Sequence, residues 1–202
     1  SEKIGIKIPL IKSSIFNFVP LPHRMEVVYK SNYLEIINDS KATNGESASA
    51  ALKSYQNIHW IAGGLEKKDG LGKTIKHLQQ VEAIYLFGSS KKRFYKQIKE
   101  TNFKRKIFIF NNLDELIKYL FEKISKIKND KLTILFSPAA ASFDEYKNFE
   151  ERGEIFKKEV FEKLKSINKW CFHVLIDQVF QFGFGQLTNG YFSVFLLYYY
   201  LE

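Results

Sequence analysis

The stretch Lys106–Phe136, KIFIFNNLDELIKYLFEKISKIKNDKLTILF, decides the fold class. It opens on an apolar run of strand type, Lys106–Phe110. Leu113, Leu116, Ile117, Leu120, Phe121, Ile124 and Ile127 then recur at the spacing of one helix face. Asn112 is placed to cap that helix, and Asp114 and Glu115 lie in its first turn, where the helix dipole favours negative charge. A second apolar run follows at Lys131–Phe136. Strand, helix, strand in this order is a crossover unit, whose right-handed connection makes the two strands parallel.

The same alternation continues outward. Towards the N-terminus, Arg24–Tyr29 and Tyr33–Ile37 read as two strands joined by a turn at Lys30–Asn32. Glu46–Tyr55 is Ala-rich and favours helix, with Asn44 as its cap. Ile58–Ala62 is a buried-type strand ending in Gly63-Gly64, and Thr74–Gln80 a short helix. Ala83–Phe87 is a further strand, closed by Gly88, and a Lys-rich helix runs from Ser89 to about Glu100. On the C-terminal side Lys147–Leu164 is a charged helix. The expected architecture is α/β: a mostly parallel sheet with helices on both faces. Ligands in such sheets sit at the carboxyl ends of the strands, so the loops after Ile37, Ala62, Phe87 and Phe136 are where function is sought.

Composition bounds the classes of function. The chain has 202 residues, 45% of them hydrophobic, enough for a real core and incompatible with a disordered polar tail. One cysteine, Cys171, excludes a disulfide framework and any multi-cysteine metal site. The net charge of +9 points to anionic partners or to solvated helix faces. The distribution is uneven. Residues 166–202 carry only Lys169, Asp177 and Glu202 as charges, so the rest of the chain is net +10. Within 170–201 lie Trp170, six Phe and four Tyr, and no charge separates Gln178 from Leu201. The length suffices for a bilayer span, but Gln178, Gln181, Gln186, Thr188, Asn189 and three glycines interrupt it. No signal peptide opens the chain, so the cytoplasm is the default location.

The loops carry the chemistry. Asn38-Asp-Ser-Lys-Ala-Thr-Asn44 follows a strand and precedes a helix, where free N–H groups, Lys41 and the hydroxyls of Ser40 and Thr43 suit an anion. It reads equally as an ordinary polar loop with a good cap. After Gly63-Gly64, which permits a sharp turn or a close approach, Lys67 is placed to meet a carboxylate. After Phe136, Ser137-Pro-Ala-Ala-Ala-Ser-Phe-Asp144 combines small residues with the hydroxyl of Ser142. Ahead of the first strand, Arg24 has the fork to clamp a phosphate. Gly72-Lys73-Thr74 mimics the end of a phosphate-binding loop, but the position five before Gly72 is Lys67 where that motif needs Gly. No metal-ligand spacing, catalytic triad or paired-carboxylate signature stands out.

These loops, in this order, resemble the C-terminal region of the Mur ligase family in its D-glutamate-adding member. The motifs are Leu21-Pro-His-Arg-Met-Glu-Val-Val28, Asn38–Asn44, Gly63-Gly-x-x-Lys67, Leu135–Asp144 and Lys147-Asn-Phe-Glu-Glu-Arg-Gly153. One departure is Ala140, where the family usually has Cys. The resemblance implies a Rossmann-like domain over residues 20–165, the end of a central ATPase domain at 1–19, and an aromatic apolar tail at 166–202 outside the family. It implies an ATP-dependent ligase that phosphorylates the carboxylate of UDP-N-acetylmuramoyl-L-alanine and lets the D-glutamate amine attack the acyl phosphate. Thr43 and Lys67 are then contacts to the D-glutamate α-carboxylate. Ser142, with backbone around Phe143 and Phe149, is the γ-carboxylate site, and Lys41 lies near the reacting centre. Arg24 and Asp39 become nucleotide contacts, to phosphate and ribose. ATP and Mg²⁺ belong to the complete enzyme; its phosphate loop and magnesium ligands are absent from this sequence, and no metal site is expected here. The chain is expected to act only with the N-terminal and central domains. Ser1, in place of an initiating Met, fits a chain beginning inside a larger enzyme. Two other readings remain: a basic nucleic-acid-binding module, and a non-catalytic remnant tethered to a membrane by 170–201.

Overall fold

The computed structural model describes residues 5–17, 21–68, 70–124 and 131–182, with 167–182 in backbone only. The chain divides into two compact units, Ser1–Phe161 and Glu162–Glu202. The first holds six strands: β1 (Glu26–Lys30), β2 (Leu34–Asn38), β3 (Ile58–Gly63), β4 (Val81–Phe87), β5 (Lys106–Ile109) and β6 (Leu132–Phe136). They form one sheet in the order β1-β2-β6-β3-β4-β5. All neighbours are parallel except β1, which pairs antiparallel with β2 at one edge. The expected mostly parallel sheet is present.

Helices α1 (Ile8–Phe16), α2 (Gly45–Ser54), α3 (Lys91–Lys99), α4 (Leu113–Ile124) and α5 (Phe149–Phe182) accompany it, with a 3₁₀ helix at Gly72–Gln80. Strand side chains alternate between two buried faces. On one face Ile37, Trp60, Ile84, Leu86 and Leu135 join Leu52 of α2, Leu78 of the 3₁₀ helix and Phe94 of α3 in a single cluster. On the other, Phe136 stacks on Phe156 of α5, and Phe108 lies against Tyr119 of α4. Both faces are therefore covered, as a parallel sheet requires.

Three helices start where their caps lie. Asn44 Oδ1 accepts from Ser47 N at 2.9 Å, Asn112 Oδ1 from Glu115 N at 2.9 Å and Asn148 Oδ1 from Glu151 N at 2.7 Å. At the last two the glutamate carboxylate reaches back to the backbone N–H just before the cap, Asn111 and Lys147 respectively. That fixes the start of α5 at Phe149, two residues later than the charge pattern suggests. The segment expected to be a helix from Thr74 begins at Gly72 and is 3₁₀, with the buried Thr74 hydroxyl donating to Leu71 O at 2.7 Å. This is also why Gly72-Lys73-Thr74 is no phosphate loop: Thr74 is an internal staple, and Lys73 pairs with Glu46.

Helix α5 is assigned to Phe182, past the expected end at Leu164. Among the described residues no helix is long and apolar enough to cross a membrane. Residues 183–202 of the tail, the expected boundary at 19–20, and the Ile127 end of the α4 stripe lie outside the described residues. Helix α1 buries none of its side chains.

Candidate functional site

The parallel order brings the carboxyl ends of β2, β6, β3 and β4 to one edge, and main-chain hydrogen bonds zip their loops together. Asp39 N donates to Phe136 O (2.7 Å), Ser137 N to Ile61 O (3.2 Å) and Gly63 N to Pro138 O (2.9 Å). Leu65 and Ala141 exchange two bonds of 2.8 Å each, and Ser90 N donates to Gly64 O at 2.9 Å. The approach is too close for a side chain at Gly64. Its φ is +128°, and a Cβ there would run into Ala141 O and lie 2.9 Å from an Arg152 guanidinium nitrogen.

Asp39 sits at the end of β2, 5% exposed. Its Oδ2 accepts from the Ser137 hydroxyl at 2.7 Å and its Oδ1 from Met25 N at 3.2 Å. Burial pushes this carboxyl up to about 6, against the lowering effect of those two bonds and of the Arg24 guanidinium. Asp39 therefore anchors the arm that carries exposed Arg24. Beside it, His23 is buried at φ +60° and its Nδ1 lies 3.0 Å from Asn38 Nδ2. A Cβ on Gly153 would strike the His23 ring, so glycine there makes room for it. Glu26 meets His23 N, Asn38 Nδ2 and Lys157. Burial raises its pKa, but the His23 N–H and Lys157 outweigh that and hold it below the ordinary value.

Lys41 is exposed, and its Nζ lies 3.8 Å from the centre of the Phe149 ring at the start of α5. Thr43 is half-buried on the same loop, one residue before the Asn44 cap. Lys67 is exposed on the loop after β3, and the Leu65–Ala141 bridge places that loop beside the one carrying Ser142. Ser142 is 1% exposed, and its carbonyl accepts from Glu145 N and Tyr146 N. Phe143 stands apart, 68% exposed, on the loop that carries Ser142. The structure thus groups Arg24 with Asp39, Lys41 with Phe149, and the loops of Lys67 and Ser142. Thr43 and Lys67 lie on separate loops with no hydrogen bond between them among the described residues.

One residue at this edge was not singled out by sequence reasoning. Arg152 is fully buried. Its Nε donates to Ser40 Oγ (3.0 Å), and its two terminal nitrogens donate to Ser40 O (2.8 Å) and Ala140 O (3.0 Å). Burial pulls its pKa down to about 10, against the effect of Asp144. The signal was available: Phe149, Arg152, Phe156 and Val160 fall on one helical stripe, and a charge on an otherwise apolar stripe is out of place. Among the described residues no three His, Cys, Asp or Glu side chains are grouped to hold a metal ion.

Residues 23–139 match the family described as "Mur ligase, glutamate ligase domain". The chain belongs to the Mur ligase family. Its relatives in that family include UDP-N-acetylmuramoylalanine--D-glutamate ligase of Prochlorococcus marinus (strain MIT 9515). That protein is 44% identical over 166 residues, which is 81% of this chain and 34% of the relative. The enzyme of the same name from Wolbachia pipientis wMel is 39% identical over 168 residues, 83% of this chain and 32% of the relative. The chain spans about a third of the length of these Mur ligases. A crystal structure of UDP-N-acetylmuramate-alanine ligase from Thermotoga maritima shares the fold. Its TM-score is 0.53 at 14% identity, over 80% of this chain and 35% of that one. The α/β architecture expected from the resemblance is thus the architecture of this family.

Proposed function

We propose that the loop-bearing edge of this Mur ligase domain binds D-glutamate for an ATP-dependent ligase that joins it to UDP-N-acetylmuramoyl-L-alanine. The observation that carries the reading is the zipping of three ligand-bearing loops, at Lys41–Thr43, Lys67 and Ser142, onto one sheet edge. D-glutamate is a dianion with an amine between two carboxylates. It needs two anion sites held apart, with the amine left free to react. Thr43 and Lys67 take the α-carboxylate. Ser142 and the backbone at Phe143 and Phe149 take the γ-carboxylate. Lys41 supplies positive charge where the acyl phosphate is attacked.

In the reaction, ATP phosphorylates the carboxylate of UDP-N-acetylmuramoyl-L-alanine, releasing ADP. The D-glutamate amine adds to the acyl phosphate, and the tetrahedral intermediate collapses to amide and phosphate. The reading assigns the phosphate loop and the Mg²⁺ ligands to the N-terminal and central domains of a longer protein. Helix α1, which buries nothing against this sheet, supports placing residues 1–19 with the central domain. Arg24 reaches the nucleotide phosphates on domain closure. Asp39 takes the ribose, and the bond it accepts from Met25 N also holds the arm that carries Arg24. This places the work in the cytoplasm, where the nucleotide substrates are.

No observation favours the nucleic-acid or membrane-remnant readings. Some of the basic side chains are engaged in ion pairs, such as Lys30 and Lys131 on Glu35, Arg93 on Glu66 and Arg105 on Glu82. Ser142→Ala in the complete ligase tests the proposal. The KM for D-glutamate is expected to rise on the order of tenfold, the loss of one hydrogen bond to a charged group, with the KM for ATP nearly constant. An equal rise in both contradicts the assignment.

A further inference from the structure

Arg152 is one of the largest fully buried side chains, and it is charged. Among the described residues none of its hydrogen bonds goes to a carboxylate. All three guanidinium nitrogens instead serve loop oxygens, two on Ser40 and one on Ala140. Ser40 passes the connection on, its hydroxyl donating to Phe149 O at 2.8 Å. Behind the guanidinium lies the Phe136 ring, 5.9 Å from its central carbon, and beside it Gly64, where a Cβ would lie 2.9 Å from a terminal nitrogen. Four segments therefore meet on one planar fork: the loops after β2, β3 and β6, and the first turn of α5.

A buried cation without a contacting anion is costly, and a fold that only needed these loops closed would fill the space with apolar atoms at lower cost. What a guanidinium provides and an apolar side chain does not is a fixed set of donor directions. We infer that Arg152 is a positioning residue, setting the spacing between the Lys41–Thr43 loop and the Ala140–Ser142 loop and hence between the two carboxylate sites. This rests on the proposed D-glutamate site and specifies how its dimensions are held. A misplacement of about 1 Å in such a site costs on the order of 100-fold.

The test compares Arg152→Lys, Arg152→Ala and Ser40→Ala in the complete ligase. Lysine keeps the charge and loses the fork. Arg152→Lys is expected to raise the KM for D-glutamate by on the order of 10- to 100-fold while the KM values for ATP and the UDP substrate stay within about twofold. Arg152→Ala is expected to behave alike and to regain D-glutamate use when millimolar guanidinium is added. Ser40→Ala, which leaves no large cavity, is expected to shift in the same direction by a smaller factor. A wild-type D-glutamate KM in Arg152→Lys overturns the inference, because charge alone then suffices. Equal losses for all three substrates overturn it as well, because the role is then general stability. Hydrogen exchange separates this outcome from failure of the D-glutamate reading. If wild-type enzyme does not use D-glutamate, yet Arg152→Lys speeds exchange at Lys41–Thr43 and Ala140–Ser142 together, the coupling stands and the ligand assignment falls. Unchanged exchange at either loop rejects the coupling itself.

Discussion

The Lys41 ammonium lies 3.8 Å from the centre of the Phe149 ring, across 108 positions of sequence. The contact joins the loop after β2 to the first turn of α5, and it gives the exposed lysine a resting direction. Phe149 entered as a backbone contact for a carboxylate; its ring turns out to be the platform for the residue assigned to the reacting centre. In a partly exposed setting such a contact contributes about 0.5–1 kcal/mol. A double-mutant cycle of Lys41→Met and Phe149→Leu, read by urea unfolding, is expected to return a coupling of that size. Phe149→Tyr should retain it. A coupling near zero means that the ring does not orient the lysine.

The Asp39 carboxyl has a pH signature with a definite sign. Its folded pKa is about 6, raised from 3.8 by burial. Between these values the folded state holds a proton that the unfolded chain has released, so stability falls as pH rises through this window. At about 1.4 kcal/mol per pH unit the full effect is roughly 3 kcal/mol. Asp39→Asn keeps an acceptor for Met25 N and a partner for Ser137. It is expected to unfold at equal or higher urea concentration at pH 7 and to lose this decline relative to wild type. If the two proteins run parallel from pH 4 to 7, Asp39 is not shifted.

Ser137→Ala removes the shortest bond to that carboxylate, 2.7 Å. Loss of a buried hydrogen bond to a charged group costs about 1.5–3 kcal/mol. The cost is expected above pH 6, where Asp39 is ionised, and should shrink towards pH 4. An unfolding difference independent of pH contradicts the pairing.

Gly64 should not tolerate a side chain. Alanine there meets Ala141 O at a φ of +128°, a strain of about 1–3 kcal/mol before the clash is counted. Gly64→Ala is expected to lower stability by more than 2 kcal/mol in urea titration, whereas alanine at Gly72, with open space around its Cβ position, should cost less. Similar losses at both sites would show that backbone conformation, not crowding by the Ala141 loop, decides.

Much of this was legible in the sequence because periodicity reports burial. The α4 stripe and the apolar runs at β3, β4 and β6 are two-faced or fully buried patterns, and the structure buries them. The loops were legible because a parallel sheet gathers its carboxyl ends. Less legible were contacts between elements distant in sequence. Arg152 reaches Ser40 over 112 residues, and no local pattern specifies that partner. The 3₁₀ geometry at Gly72–Gln80 was equally hidden, since it follows from Thr74 bonding back to Leu71. The two donors to Asp39, Met25 and Ser137, were hidden for the same reason, since they come from other strands' ends.

The central claim is that this sheet edge recognises D-glutamate, and Lys67 is an exposed charged element of it. The decisive measurement is the steady-state KM of Lys67→Ala for D-glutamate and for ATP in the complete ligase. A D-glutamate KM raised by on the order of 10-fold or more, with the ATP KM nearly unchanged, is the expected result for a lost charge-assisted contact. Equal loss for both substrates, or none for either, would contradict it.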